Sequence, residues 1–125
     1  MKKRYWFFIW SVVLVSSCYY DNEEKLYNGI PCNSGEISYK TDLLPIFQVN
    51  CYNCHSIENA PVSGDALVLE GYNNLTVYLQ SNTETFMGSM EQNGRAIAMP
   101  KNGTKLDKCS IQAFRDWIDQ GKLNN

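Results

Sequence analysis

Cys51-Tyr52-Asn53-Cys54-His55 is the stretch of this 125-residue chain that decides the fold and the chemistry expected of it. Two cysteines separated by two residues, with a histidine directly after the second, have the spacing of a covalent haem c attachment site. Each thiol can add to one vinyl group of the porphyrin, and the histidine then lies beneath the iron as its proximal ligand. The stretch therefore predicts one covalently bound haem c, held by Cys51, Cys54 and His55.

Two other interpretations of the cysteine pair remain open. A thioredoxin-like redox pair needs a βαβ setting, which the sequence around the pair lacks. A zinc site needs two further ligands, from Cys32, Cys109 or a carboxylate. Cys54 and His55 are also adjacent in sequence, which makes it difficult for both to bind the same tetrahedral zinc ion. Haem attachment is favoured over both.

Two longer stretches resemble the small monohaem cytochromes c. Residues 42–56, DLLPIFQVNCYNCHS, resemble the first helix and haem-binding turn of that family, and residues 99–121, MPKNGTKLDKCSIQAFRDWIDQG, resemble its Met-Pro loop and last helix. The resemblance covers residues 36–122 and implies a small all-α, cytochrome c-like domain around one haem. In layout the chain is similar to lipoprotein cytochromes of Gram-negative bacteria.

Apolar spacing predicts the first and last helices of this domain. The first begins near Thr41 or Asp42, either of which can cap it, and runs to about residue 51. The last runs over residues 108–120, with Asp107 as its cap and Gly121 just beyond its end. Their apolar faces predict a contact between the two helices, formed by Leu43, Phe47, Phe114 and Trp117.

The middle of the domain has weaker signals. Residues 56–70 contain a proline and a glycine and predict a loop along the proximal side of the haem. A modest helix is expected over residues 72–80, and the polar run 81–85 is expected to break it. Residues 86–90 then predict a short helical turn that packs Phe86 and Met90 against the ring.

Composition restricts the sixth ligand of the iron. His55 is the only histidine, so the chain cannot supply two imidazoles. Met99 precedes Pro100, which favours an extended backbone, and it aligns with the Met-Pro of the resembling family. Met87 and Met90 lie in an apolar run and are expected to pack. The predicted axial ligands are thus His55 and Met99, and an open or water-bound iron is the alternative.

The N-terminal residues have the pattern of a lipoprotein signal. MKKR is basic, residues 5–15 are an apolar run too short for a confident membrane span, and Val15-Ser16-Ser17-Cys18 resembles a lipobox. The pattern predicts a signal peptide over residues 1–17 and a lipid on Cys18, with an ordinary signal peptide or an uncleaved anchor as the alternative. Residues 18–35 would be an acidic tether, and residues 36–125 the cytochrome domain.

Two cysteines, Cys32 and Cys109, are left without a role. In an oxidising exported compartment such a remaining pair predicts a disulfide. The alternative is two unrelated buried thiols.

Charge and motifs narrow the expected function. The net charge of −2 gives no broad basic face for nucleic acid, and the sequence has no phosphate-binding loop or hydrolytic triad. An iron with both axial positions filled predicts electron transfer to redox protein partners rather than enzymatic turnover. The expected location is the outer membrane, attached through the lipid and facing the periplasm or the cell surface. A haem-based ligand-binding or sensing module with a labile Met99 is the alternative.

Overall fold

A computed structural model describes Cys32 and residues 35–125, within the compact unit Cys32–Asn125. The described residues are mostly helical and contain no strand, which confirms the all-α prediction. A π turn, Tyr39–Leu43, leads into the first helix. The helices are α1 (Leu44–Asn50), α2 (Tyr52–His55), α3 (Ala60–Ser63), α4 (Tyr72–Glu91) and α5 (Lys108–Asp119). The predicted signal peptide, the lipid site Cys18 and most of the tether lie outside the described residues.

The first helical segment begins earlier than predicted. Ser38 caps it: its hydroxyl accepts a hydrogen bond from the N–H of Thr41, and its own N–H donates to the carboxylate of Asp42 at 2.7 Å. The expectation that Thr41 or Asp42 is the cap was wrong, because Asp42 serves as the reciprocal acceptor. Pro45 lies in the first turn of α1, where a missing N–H costs little.

The last helix matches its prediction closely. Asp107 accepts a hydrogen bond from the N–H of Ser110 at 2.9 Å and caps α5. At the other end Gly121 has a φ of +92°, its N–H bonds to the carbonyl of Ile118, and the N–H of Lys122 bonds to that of Trp117. This pair of bonds is a Schellman motif, which needs the left-handed residue that glycine provides.

The expected break over residues 81–85 was wrong. Helix α4 continues through them and is interrupted only by a kink at Asn82, whose φ is −128°. The side chains of Asn82 and Thr83 donate to the carbonyls of Tyr78 and Leu79, four residues earlier. Polar side chains that bond to the preceding turn bend a helix without ending it.

The core joins the first helical segment to α5, as predicted. Leu43, Phe47, Phe114 and Trp117 are all fully buried. The rings of Phe47 and Phe114 meet edge to face, with centroids 5.1 Å apart. Such a pair adds to the stabilisation from burial alone, by about 0.5–1.5 kcal/mol.

Glutamine and asparagine side chains fasten the start of the described chain to its C-terminal segment. Gln120 accepts from the N–H of Ile37 and donates to the carbonyl of Gly35. Asn125 accepts from the N–H of Tyr39 through its side chain and from the N–H of Lys40 through its carbonyl. The two bonds to Asn125 use N–H groups in the first turn of the helical segment, which the segment itself leaves unpaired.

Candidate haem-attachment site

The cysteine pair and the histidine are held in one tight turn, which starts at Cys51 between α1 and α2 and ends at His55, the last residue of α2. The backbone changes direction at Cys51, where φ is −120° and ψ is −40°. The carbonyl of Cys51 accepts hydrogen bonds from the N–H of Cys54 at 3.1 Å and from that of His55 at 2.8 Å. All three predicted attachment residues therefore occupy a segment about one helical turn long, and all three are half-buried.

Both cysteines of the turn are free thiols in the structure. Burial raises the pKa of the Cys51 thiol to about 12, so this sulfur stays protonated at neutral pH.

The imidazole of His55 is oriented by a backbone carbonyl. Its Nδ1 lies 2.9 Å from the carbonyl oxygen of Leu67, which can only accept a hydrogen bond. Nδ1 must therefore carry a proton, and in the neutral imidazole Nε2 keeps its lone pair. Among the described residues Nε2 has no hydrogen-bonding partner. This is the arrangement in which a histidine binds a metal through one nitrogen while the other is held by its surroundings.

Residues 56–70 bring that carbonyl into place. The segment was predicted to be a loop along the proximal side, and it does lie against His55, but it also contains the short helix α3. Asp65 and Ala66 have positive φ values of 52° and 61°, so the chain reverses just before Leu67. The N–H of Leu69 then donates to the carbonyl of His55 at 2.9 Å. A left-handed alanine is uncommon and costs energy, and such strain is often found beside functional sites.

Gly64 allows this segment to approach the turn closely. A Cβ at this position would overlap the carbonyl oxygen of Cys54 and would come within 3.0 Å of His55 Nδ1 and Ala60 Cα. The φ of Gly64 is −107°, so close contact rather than backbone conformation excludes a side chain here. Sequence reasoning used Gly64 only as a sign of a loop and missed this role.

The three methionines considered for the sixth ligand differ in their surroundings. Met87 and Met90 are buried in the hydrophobic core cluster, where they contact other apolar side chains. Met99 is half-buried and lies outside that cluster, in the connection between α4 and α5. Its backbone is fixed to the end of α4, because its N–H donates to the carbonyl of Ser89 at 3.0 Å and its carbonyl accepts from the Gln92 side chain. The Met99-Pro100 peptide bond is cis.

The two leftover cysteines are brought together. Cys32 and Cys109 form a disulfide with their Cα atoms 5.1 Å apart. Both are thereby unavailable as zinc ligands. Within the part of the chain that the structure describes, no three histidine, cysteine or acidic side chains form a group that could hold a metal ion. The zinc interpretation of the cysteine pair therefore lacks its further ligands among these residues.

Two features lie apart from the attachment turn. A cavity of about 280 Å³ between α4 and α5 is lined by polar residues that include Glu91 and Arg115, which form an ion pair. It includes neither the cysteine pair nor His55 nor Met99. Separately, none of the described helices is long and apolar enough to cross a membrane.

Comparison with known protein families, curated protein sequences and solved structures finds no match to this chain.

Proposed function

We propose that the chain is a haem c protein that carries electrons at the bacterial cell envelope. The observation that supports this most strongly is the contact between His55 Nδ1 and the carbonyl of Leu67 at 2.9 Å, within one residue of a CxxC pair. It leaves Nε2 as a free ligand nitrogen beside two thiols. Neither a redox-active thiol pair nor a buried structural histidine requires a histidine held in this tautomer.

The residues divide the work of binding the haem. Cys51 and Cys54 would hold the porphyrin edge by thioether bonds, His55 would supply the proximal nitrogen, and Met99 would supply the distal sulfur. When bound, the haem supplies a one-electron iron couple, whose potential a thioether ligand raises. The hydrogen bonds of the Met99 N–H and carbonyl fix the backbone from which this side chain would extend. Iron with both axial positions filled favours electron transfer over turnover of a substrate.

Location and partners belong to the same proposal. The lipobox-like residues before Cys18 support a lipid-anchored protein of the outer membrane, facing the periplasm or the cell surface. A disulfide between Cys32 and Cys109 is in keeping with an oxidising compartment. The partners of such a carrier are other redox proteins, which meet it in small and transient complexes.

A pyridine haemochrome spectrum of the purified protein tests the proposal directly. The chain is expressed with a haem c maturation system, and the denatured protein is extracted with acidified acetone. Haem that stays with the polypeptide and shows a c-type spectrum supports the proposal. A Cys51→Ala/Cys54→Ala variant is the matched control and should lose the colour to the solvent. A colourless protein with two alkylatable thiols at these positions would reject the haem and favour thiol redox chemistry.

Carbon monoxide distinguishes the carrier from a sensing module. Ferrous iron closed by Met99 should bind carbon monoxide slowly and weakly, because the sulfur must leave first. Rapid binding to the unmodified ferrous protein would show an open position and would replace electron transfer with ligand sensing.

A further inference from the structure

The charges of this acidic chain are distributed very unevenly. Residues 41–94 contain no lysine or arginine, and their acidic side chains are Asp42, Glu58, Asp65, Glu70, Glu84 and Glu91. Residues 95–108 have the opposite character. Their cationic side chains are Arg95, Lys101, Lys105 and Lys108, against the single carboxylate of Asp107. The segment between α4 and the start of α5, here called the basic segment (residues 95–108), is therefore strongly positive although the whole chain is negative.

The structure leaves the cations of the basic segment free to act on the solvent. All four are exposed, and none forms an ion pair with any described residue. Arg95 lines the cavity beside α4 that Glu84, Glu91 and Asp119 also line, so the three lysines are the cations that face solvent without these carboxylates around them. The carboxylate of Asp107 is occupied as the cap of α5, where the N–H and the hydroxyl of Ser110 donate to it. A turn closed by the N–H of Gly103 and the carbonyl of Pro100 presents Lys101 outward.

One of these lysines lies at a helix N-terminus, where a positive charge is unfavourable. Lys108 is the first residue of α5, beside the positive end of the helix dipole. A cation there destabilises a helix by a few tenths of a kcal/mol, and Lys105, three residues before it, adds to the same positive field. Stability of the fold therefore gives no reason for this arrangement, whereas attraction of a negatively charged molecule does.

The basic segment also exposes apolar surface next to the predicted distal ligand. Ile97 is 68% exposed and lies two residues before Met99. An exposed branched aliphatic side chain between cations is the composition of a protein docking surface, with an apolar contact inside a polar rim. A small inorganic anion has no apolar surface that could pack against Ile97.

We propose that the basic segment, residues 95–108, is the docking surface for a redox protein with an acidic face. This rests on the proposed electron transfer and adds the chemistry of the partner and the place where it binds. The cations steer the acidic partner toward the distal loop, and Ile97 supplies the short-range apolar contact. Electrons then cross on the side of Met99.

Charge-reversed variants of equal net charge test the position of the surface. Lys101→Glu/Lys105→Glu changes the basic segment, and Lys40→Glu/Lys122→Glu makes the same change of net charge elsewhere. Lys122 follows the C-terminal end of α5, and Lys108 is the first residue of that helix, whose 12 residues make it about 18 Å long at about 1.5 Å per residue. Lys40 is held beside Asn125 at that same end. Both variants are made in the haem-loaded full chain and checked for an unchanged circular dichroism spectrum.

Small charged reagents report the local field at the haem. At low salt, oxidation of the ferrous protein by hexacyanoferrate(III) should slow about tenfold in Lys101→Glu/Lys105→Glu and by no more than about twofold in the control. Reduction of the ferric protein by hexaammineruthenium(II), a cation, should speed up in the first variant. Equal effects of both variants would show that only net charge matters and would overturn the proposal.

A protein probe tests docking itself. Reduced plant-type ferredoxin, a small acidic protein, should reduce the ferric chain in a salt-sensitive reaction that Lys101→Glu/Lys105→Glu slows. Ile97→Ser should slow this reaction about threefold while leaving the hexacyanoferrate(III) rate unchanged. An Ile97→Ser variant that reacts with ferredoxin as the native chain does would overturn the docking contact.

The remaining outcomes assign the surface differently. Binding to phosphatidylglycerol vesicles that only Lys101→Glu/Lys105→Glu abolishes, together with an unchanged ferredoxin rate, would assign the basic segment to the membrane and overturn the proposal. Salt-sensitive dimerisation with the same dependence would assign it to a second copy of this chain. A chain that holds no haem gives no signal with any of these reagents. That result rejects the proposed function itself and is distinct from a failure of the docking surface.

Discussion

At the scale of single residues, the site combines groups that the sequence reveals with groups that it hides. Cys51, Cys54 and His55 could be singled out as candidates because their spacing is itself what haem c attachment requires. The carbonyl of Leu67 could not, because every residue has a carbonyl and only the reversal at Asp65 and Ala66 aims this one at the imidazole. The close approach at Gly64 was hidden for the same reason, since it depends on a contact between segments.

Gly64→Ala tests whether this close approach is required. The added methyl group overlaps the carbonyl of Cys54, so we expect the free energy of unfolding to fall by about 1–3 kcal/mol. Gly88→Ala is the matched control, because Gly88 lies inside α4 with only ordinary contacts around a new Cβ. Removing a glycine from a helix should raise stability by about 0.5–1 kcal/mol. Urea denaturation of both variants decides, and equal stabilities would contradict the packing seen at Gly64.

Met99→Ala tests the distal ligand. In the haem-loaded protein the change should open the iron, abolish the weak near-infrared sulfur-to-iron band, lower the potential and permit carbon monoxide binding. Met87→Ala and Met90→Ala are the controls, because both side chains are buried in the core cluster. They should keep the band but lose about 2–5 kcal/mol of stability. If either control loses the band while Met99→Ala keeps it, the ligand has been assigned to the wrong methionine.

At the scale of elements, local patterns predicted the helices well where caps and apolar faces agree. Helix α5 has Asp107 before it, a regular apolar face and Gly121 after it, and it forms as expected. Helix α4 was predicted less well, because the polar residues 81–85 were expected to end it and do not. Asn82 and Thr83 instead bond to carbonyls of the preceding turn, and the buried residues on both sides of the kink hold the two halves in one element. Tertiary packing overrides a local breaker of this kind.

The cap of α5 predicts a pH dependence of stability. Burial alone would raise the pKa of the Asp107 carboxyl, but hydrogen bonds from the hydroxyl and N–H of Ser110 lower it overall. A lowered pKa in the folded state means stability that is present above the unfolded value, about 3.9, and is lost as the pH falls through the folded value. Asp107→Ala should therefore cost about 1 kcal/mol at pH 7 and progressively less in acid.

Asp107→Asn is the control for that pH dependence. Asparagine keeps the side-chain oxygen that accepts from Ser110, so the variant should lose little stability at pH 7. It has no proton to gain, so its stability should not show the acid-linked loss contributed by Asp107. Thermal unfolding between pH 7 and pH 3 measures both variants, and a constant difference between native protein and Asp107→Ala would contradict the carboxylate cap.

At the scale of the whole molecule, the chain closes on itself by linking residues far apart in sequence. The disulfide Cys32–Cys109 spans 77 positions, and Gln120 and Asn125 bond to residues 35–40. The cysteine pairing could be predicted because only two thiols had no other role. The bonds of Gln120 and Asn125 could not, because exposed amides carry no pattern that names a distant partner. A domain of this size has a small core, and such links add to the stability that the core supplies.

Removing the disulfide should show how much the domain depends on that closure. The cross-link restricts the unfolded chain far more than the folded one, because the folded state already holds the two Cα atoms 5.1 Å apart. In the chain-entropy model a loop of this length contributes about 4 kcal/mol. The variant Cys32→Ser/Cys109→Ser should therefore lose about 4 kcal/mol of the free energy of unfolding, which is measured as a lower urea midpoint. Dithiothreitol should lower the midpoint of the native chain similarly and leave that of the variant unchanged. If the variant unfolds at the native midpoint, the hydrogen bonds of Gln120 and Asn125 alone are enough to close the fold.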